Sequence, residues 1–280
     1  MNTDPPKMRI SATANFSPRI FGVVNVTEDS FSDGGRYLDP ARAIRHGRDL
    51  AAGGADVLDL GAASSNPDAK EVSAAKEIRR LAPVVSALHA QGLSLSIDSF
   101  RPETQLWAMA QGVAYLNDIH GFAAPEIWPD LARGTCGLIV MHAIQDSWKA
   151  ERRNIPPQAI WARIEDFFAR RVDELTAGGI ARSRLVLDPG MGFFLSSNPE
   201  ASLRMLRDIP KLKARFALPV MIGVSRKSFL KAMLNRATDA LGPASLAAEL
   251  FAAFQGADMI RTHESQPLKD ALAVFSALAR

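Results

Sequence analysis

A single cysteine, Cys136, in 280 residues leaves no partner for an intrachain disulfide. The chain reads as one suited to a reducing compartment, and Cys136, just before the apolar run Leu138 to Met141, reads as a buried packing thiol rather than a nucleophile. Histidine is scarce as well, with five in all. His46, inside a helical segment, and His89, near the end of another, read as surface residues, and the sequence assigns no role to His120. So few histidines argue against metal-dependent hydrolysis, which gathers several histidines and carboxylates at one point. No apolar run approaches the ~20 residues of a membrane span, and the first twenty residues carry Asp4, Pro5, Pro6 and polar side chains where a signal peptide would be apolar. A cytoplasmic enzyme with no membrane partner is the expectation. An excess of one charge is also missing: 33 Lys+Arg against 30 Asp+Glu leave a net +3. The pairs Arg79-Arg80, Arg152-Arg153 and Arg170-Arg171 fall on helical segments and read as solvated faces, so no nucleic-acid partner is expected.

What is present is ample core material, 47% apolar against 22% charged residues, arranged in a strict alternation. Eight short apolar runs rich in β-branched residues are Ile20 to Val26, Val57 to Leu60, Leu93 to Ile97, Ala114 to Leu116, Leu138 to Met141, Leu185 to Leu187, Val220 to Val224 and Met259 to Ile260. Between them lie amphipathic segments, Pro40 to Ala52, Ser73 to Gln91, Pro102 to Gln111, Pro125 to Arg133, Pro157 to Thr176, Pro199 to Ala214, Pro243 to Gln255 and Pro267 to Ala279. Proline opens most of these, as its fixed φ and missing N–H suit a first helical turn. Repeated βα units of this kind predict a parallel sheet, and eight of them a TIM (β/α)₈ barrel in one domain over residues 18 to 280, preceded by a flexible tail over residues 1 to 17.

Polar residues follow the apolar runs again and again: Asn25, Asp59, Asp98, Asn117-Asp118, His142, Asp188, Ser225-Arg226-Lys227 and Arg261-Thr262-His263. Any one of them could cap a turn. Eight such strand ends on one face of a barrel predict a shared concave site. Opposite charges within the set suggest two subsites. Asp98 and Asp188 suit a planar heterocycle that presents paired N–H donors, while Lys227, Arg261 and His263 suit an anion and Asn25 a hard cation such as Mg²⁺. Two long polar connections, Thr27 to Tyr37 and Gly61 to Glu71, are candidate lids over that face.

The strings VNVTEDSFSDGG, DLGAASSNPDA, SIDSF, YLNDIHGF, VMH, LDPGMGF, GVSRKSF and MIRTH, in this order over residues 20 to 263, strongly resemble dihydropteroate synthase. The resemblance implies a TIM barrel that condenses 6-hydroxymethyl-7,8-dihydropterin pyrophosphate with 4-aminobenzoate, using Mg²⁺, in folate biosynthesis, and a homodimer formed through the last helices. Matched motif by motif, it implies that Asp98, Asn117, Asp188 and Lys227 hold the pterin. Asn25, Arg261 and His263 would hold the pyrophosphate, with Asn25 on the metal. Ser65, Pro67, Phe193, Phe194 and Ser225 would line the aminobenzoate pocket, and Lys227, Arg261, His263 and Asp98 would carry the catalysis.

The chain departs from the usual pattern of that family at three places. Glu28 replaces a proline, Ala63 and Asn66 replace a glutamate and an arginine, and Phe194-Leu195 stand where Gly-Lys is common. The last two changes fall near the aminobenzoate subsite and resemble the sulfonamide-insensitive Sul branch carried on resistance plasmids. A pocket narrowed by Phe194 would admit the substrate and reject the bulkier drug. Two alternatives remain at this stage: a pterin-gripping methyltransferase barrel, which releases no pyrophosphate, and a pterin-binding protein without activity.

Overall fold

The computed structural model describes residues 17–27, 40–64, 70–145 and 149–278. The N-terminal tail, most of the Thr27 to Tyr37 connection and the centre of the Gly61 to Glu71 connection, with Ser65, Asn66 and Pro67, lie outside the described residues.

Eight parallel strands form one sheet in the order β6-β5-β4-β3-β2-β1-β8-β7. They are β1 (Arg19–Asn25), β2 (Val57–Gly61), β3 (Leu95–Asp98), β4 (Tyr115–Asp118), β5 (Gly137–Met141), β6 (Leu185–Asp188), β7 (Met221–Ile222) and β8 (Met259–Thr262). Each strand lies beside its sequence neighbour, and β1 pairs with β8, so the order is that of a barrel. A single bridge, Leu187 with Val220, supported by the bond from Leu187 N to Pro219 O at 2.8 Å, joins the last two edges. The helices between and around the strands are α1 (Pro40–Ala52), α2 (Ala74–His89), α3 (Pro102–Ala110), α4 (Trp128–Arg133), α5 (Pro157–Ala177), α6 (Pro199–Arg207), α7 (Ile209–Phe216), α8 (Ser228–Leu234), α9 (Gly242–Phe254) and α10 (Ser265–Leu278).

Strand alternation explains how the same short runs serve both a core and a site. Side chains at every second position point to one face. Outward residues such as Leu58, Leu60, Ile97, Leu116, Leu138, Val140, Leu187 and Ile260 join the helices in one large buried cluster. Inward residues Phe21, Val57, Ile139, Val186, Met221 and Met259, with Tyr115 against them, form a second apolar cluster that floors the barrel. Two residues further along their strands stand Asp59, Asn117, Asp188 and Arg261. The polar ring is therefore the next inward layer above an apolar floor.

Most of the expected segments appear within one to three residues, and the strands run slightly further than their apolar cores. Asp98, Asp118, Asp188 and Arg261-Thr262 thus lie on the strands rather than after them. Three departures have physical reasons. The segment Pro199 to Ala214 is two helices, broken at Asp208 because Pro210 offers no N–H to continue the first. The run Val220 to Val224 keeps only two residues of ladder, Met221–Ile222. The SRKS stretch opens a short helix, α8, that apolar periodicity did not mark. His46 and His89 are exposed and Cys136 is buried, as expected, and burial pushes the Cys136 thiol up despite the neighbouring Arg184.

The arginine pairs are not simply solvated. Arg79 and Arg170 face solvent, but Arg80 is buried and Arg171, partly buried, donates from Nη1 to the carbonyls of His120 and Gly121 at 3.1 and 2.7 Å. One member of each of these two pairs turns inward because neighbouring helical positions lie about 100° apart, whereas Arg152 and Arg153 are both exposed and lie before α5 rather than on a helix.

Candidate active site

The strand ends converge as expected, but the charges are not divided into an acidic and a basic half. Arg261, on β8, donates through Nε to Asp59 on β2 and through Nη2 to Asp98 on β3, the latter at 2.7 Å. Its fork joins two carboxylates across the barrel mouth, a geometry that a planar guanidinium provides and an ammonium does not. Asp59 is fully buried, and Oδ1 of that carboxylate has no hydrogen-bond partner among the described residues. Asp59 stood among the strand-end residues in the sequence but not among the candidate site residues. Its inward position, two residues after the floor residue Val57, is the signal that identifies it.

Asp98 is held above the ordinary carboxylate range by desolvation, with Arg261 pulling the other way. Desolvation also raises Asp188, against the bond from Gly190 N to its Oδ1 at 2.8 Å. Asn117 is buried between them on β4, and its Oδ1 also has no partner among the described residues. A ligand edge with several N–H donors would satisfy this set.

The turn after β6 is shaped by glycine. Gly190 has φ +71°, and a Cβ there would lie 2.4 Å from the His142 carbonyl oxygen. This close approach lets His142 clamp the turn: its backbone N donates to Asp188 O at 2.8 Å and its ring Nδ1 lies 3.1 Å from Pro189 O. Desolvation pulls His142 down to about 4, so the ring is neutral and Nδ1 carries the proton that the carbonyl accepts. His142 is a support for Asp188 rather than a ligand-facing group.

Lys227 stands at the start of α8, directly after Arg226, which adopts φ +57°. Such a conformation costs a β-carbon residue about 1 to 2 kcal/mol. It is held by the bond from Arg226 N to Ser245 Oγ at 2.9 Å and by Glu264, 3.7 Å from Arg226 Nη2. The Lys227 ammonium lies 4.9 Å from the centre of the Phe194 ring, within cation–π reach. Phe194 in turn packs with Ile119, Met141 and Ala150, against which the half-buried Phe193 also rests. Phe193 and Phe194 therefore form an apolar wall beside the lysine. Ser225 is buried and meets His263: its Oγ lies 3.3 Å from His263 N and 3.0 Å from Nδ1. Desolvation, then the nearby Arg261, pulls His263 down to about 3, so it is neutral here. A hydroxyl that accepts from the backbone N and donates to Nδ1 leaves the ring proton on Nε2. Asn25 lies exposed at the end of β1.

Nearly the whole barrel, residues 21–263, matches the family model described as pterin binding enzyme. The chain is 56% identical over 264 residues to dihydropteroate synthase type-2 of Escherichia coli, covering 94% of this chain and 97% of the relative. It is 49% identical over 262 residues to the type-1 enzyme of Escherichia coli, covering 93% and 94% respectively. Among solved structures, Xanthomonas albilineans dihydropteroate synthase with 4-aminobenzoic acid superposes with a TM-score of 0.85 at 35% identity, covering 93% of each chain. An Arg261 fork above an apolar floor, buried Asn117 and Asp188 beside it, and Lys227 against an aromatic wall thus belong to a barrel whose relatives carry one name at high coverage: this chain is a member of the dihydropteroate synthases within the pterin-binding enzyme family.

Proposed function

We propose that the chain condenses 6-hydroxymethyl-7,8-dihydropterin pyrophosphate with 4-aminobenzoate to give dihydropteroate and pyrophosphate in folate biosynthesis. The observation that carries this reading is the set of acceptors at the barrel mouth, Asp188 and Asn117 with Asp98 beside them, next to the cationic groups of Arg261 and Lys227. The acceptors suit the donor-rich pterin edge. The methylene C–O bond breaks with its electron pair leaving on pyrophosphate, the aryl amine forms the new C–N bond, and the amine proton passes to solvent. Negative charge builds on the leaving oxygens, where Arg261, Lys227 and the Nε2 proton of His263 stabilise it. The weakly basic amine then needs placement against the Phe193 and Phe194 wall, near Ser225, more than it needs a base. Purified protein given both substrates should release pyrophosphate only when aminobenzoate is present. Release without it, or none at all, would contradict the reading.

A Mg²⁺ ion fits as a companion of the pyrophosphate rather than a resident cofactor. No group of three or more His, Cys, Asp or Glu that would cage a metal occurs among the described residues, and the exposed Asn25 amide offers a single oxygen. That suits an ion that keeps most of its waters and binds chiefly through substrate phosphates, whose charge it would neutralise. The single buried thiol supports a reducing, cytoplasmic setting, and no described helix is long and apolar enough to cross a membrane. Val274 and Leu278 on α10, exposed at 61% and 78%, with Met233 and Leu234 on α8, support a homodimer through the last helices.

Desolvation, then Arg261, pulls Lys227 down to about 8. The ammonium form is the one that attracts the leaving group, and it is lost as pH rises through that value. The kcat/KM for the pterin substrate should therefore fall above pH 8. A profile that stays flat to pH 9.5 would contradict it.

Sulfonamide insensitivity follows from the aromatic wall. Phe194 fills the space between Lys227 and the ends of β4 and β5 that glycine would leave open. Phe194→Gly should lower the sulfamethoxazole concentration that halves turnover by about tenfold, the scale on which a hydrophobic pocket separates close analogues. Unchanged inhibition would sink this explanation.

A further inference from the structure

Helix α9 packs on the barrel through a stripe that begins with polar residues. Its buried face opens on Ser245 and Glu249, one helical turn apart, before Ala252 and Ala253 continue it. A helix against a sheet ordinarily turns apolar side chains inward, and a buried carboxyl is costly wherever it is not fully paired. Glu249 is not fully paired: its Oε1 has no hydrogen-bond partner among the described residues. Desolvation pushes this carboxyl up to about 7, against the bond it makes with Thr262. Packing alone gives the two residues no purpose, and the chemistry above assigns them none. The groups they touch supply one.

Ser245 meets the turn after β7. Lys227 N donates to Val224 O at 3.2 Å and closes a β-turn whose third residue, Arg226, has φ +57°, a place that glycine ordinarily takes. With Arg226 N donating to Ser245 Oγ at 2.9 Å, the Arg226 side chain is exposed, and Lys227 is the cation that reaches the Phe194 ring. Glu249 meets the end of β8. Strand alternation turns Arg261 inward and Thr262 outward, and Thr262 hydrogen-bonds Glu249 on one side while its Oγ1 accepts from Glu264 N at 3.1 Å on the other. A hydroxyl that accepts from that N–H gives its own proton to the carboxyl. Glu264 joins the two halves: its Oε2 lies 3.7 Å from Arg226 Nη2, and a Cβ on Gly242, the first residue of α9, would lie 3.3 Å from the same oxygen. A carboxylate is well placed at that helix end.

We propose that Ser245 and Glu249 are positioning residues for the anion-facing groups: Ser245 holds the turn that points Lys227 into the barrel, and Glu249, through Thr262, holds the strand end that carries Arg261 and His263. This rests on the proposed function, in which those three groups face the leaving pyrophosphate. Neither residue touches substrate. One helix face sets the spacing of groups that come from two separate loops, and the contact of Ser225 Oγ with His263 ties the same loops on the barrel side. Misplacing such groups by ~1 Å can cost about 10²-fold in rate, so a support behind them has a direct effect on turnover.

The test measures binding of inorganic pyrophosphate with Mg²⁺ by calorimetry, beside kcat from pyrophosphate release, in Ser245→Ala, Ser245→Thr, Thr262→Val, Thr262→Ser and the double variant Ser245→Ala/Arg226→Gly. Ser245→Ala should weaken pyrophosphate binding and lower kcat about tenfold each, the scale of one lost hydrogen bond, while Ser245→Thr, which keeps the hydroxyl, stays within about threefold of the unaltered protein. The double variant separates positioning from a general loss of structure. Glycine takes positive φ at no steric cost, and the Arg226–Glu264 pair, partly exposed, carries little weight, so glycine at position 226 should bring binding back to within about threefold although the Ser245 hydroxyl is still missing. Thr262→Val, which keeps the shape but not the hydroxyl, should weaken binding about tenfold, and Thr262→Ser should stay within about threefold. Unchanged binding in whichever of Ser245→Ala and Thr262→Val folds, or a loss in Ser245→Ala that glycine leaves uncorrected, overturns the proposal. So does failure of both to fold, which would make the stripe a requirement of folding alone. Should the unaltered protein release no pyrophosphate from the two substrates, the functional reading fails by itself and the binding series still decides the positioning. An unaltered protein that binds no pyrophosphate overturns it.

Discussion

Replacing Arg261 with alanine is expected to cost both activity and stability, and the two losses have different causes. The guanidinium is the cation shared by Asp59 and Asp98. Removing it leaves a fully buried carboxylate and a mostly buried one facing each other unpaired, and breaking a buried pair in this way costs about 3 to 5 kcal/mol. Activity should fall by about 10³-fold or more, because the leaving pyrophosphate loses its strongest stabilising group. Arg261→Lys separates the two effects. An ammonium keeps the charge and most of the stability, but it cannot reach two carboxylates in a fixed fork, so kcat should still drop about 10²-fold. Thermal melts beside steady-state rates decide the matter. A lysine variant with full activity would mean that the fork itself is dispensable.

Asp188→Asn should do the reverse to stability. At neutral pH the buried carboxylate is an unfavourable guest: desolvation raises it above its unfolded value, so the fold binds its proton more tightly than the unfolded chain does. Stability linked to Asp188 is then greatest at low pH and is lost as pH rises through the unfolded and then the folded value. An amide has no such titration, and its oxygen can still accept from Gly190 N. The variant should melt about 2 to 4 °C higher at pH 8, the shift that ~1 kcal/mol gives in a chain of this size, and the gap should close as the pH is lowered. Its kcat/KM for the pterin substrate should fall about 10³-fold, because an amide N–H₂ group confronts the donors that a carboxylate accepts. The KM for aminobenzoate should stay within about threefold. A variant that melts lower at pH 8, or that keeps its pterin affinity, would contradict this account.

Much of this could be seen in the sequence, because barrel physics writes itself in short repeats. The runs from Ile20 to Ile260 had to be strands: they are too short for helices and are spaced by segments with helical periodicity. Prolines fixed where most helices begin. The split at Asp208 was less legible, because periodicity continues across it while the backbone hydrogen bonds do not. Site residues were legible wherever a strand end carried a charge or an amide. The pairing among them was not. That Arg261 reaches Asp59 and Asp98 follows from the neighbours β8, β1, β2 and β3 and their register, which no single strand contains. Arg80 and Arg171 are illegible as inward residues for the same reason: each donates to the carbonyls of a nearby loop, and composition cannot tell such an arginine from an outward one.

The single bridge between β6 and β7 has a consequence for how such a site can change over time. Among the described residues, seven of the eight strand junctions are ladders of two or more paired residues, and the eighth is the single Leu187–Val220 bridge with the bond from Leu187 N to Pro219 O. The loops on either side of that seam, GMGFF after β6 and SRKS after β7, carry Phe193, Phe194, Ser225 and Lys227. A change at the half-buried Phe193 can shift one loop against the other while breaking few ladder bonds, although Gly190 and Gly192, both at positive φ with no room for a Cβ, are closed to substitution. Asn117, to which the proposed function gives the pterin edge, stands on a strand laddered on both sides and has no such latitude. The barrel is thus built to vary at the seam that carries Phe193 and Phe194 and to stay fixed at the strand that carries Asn117.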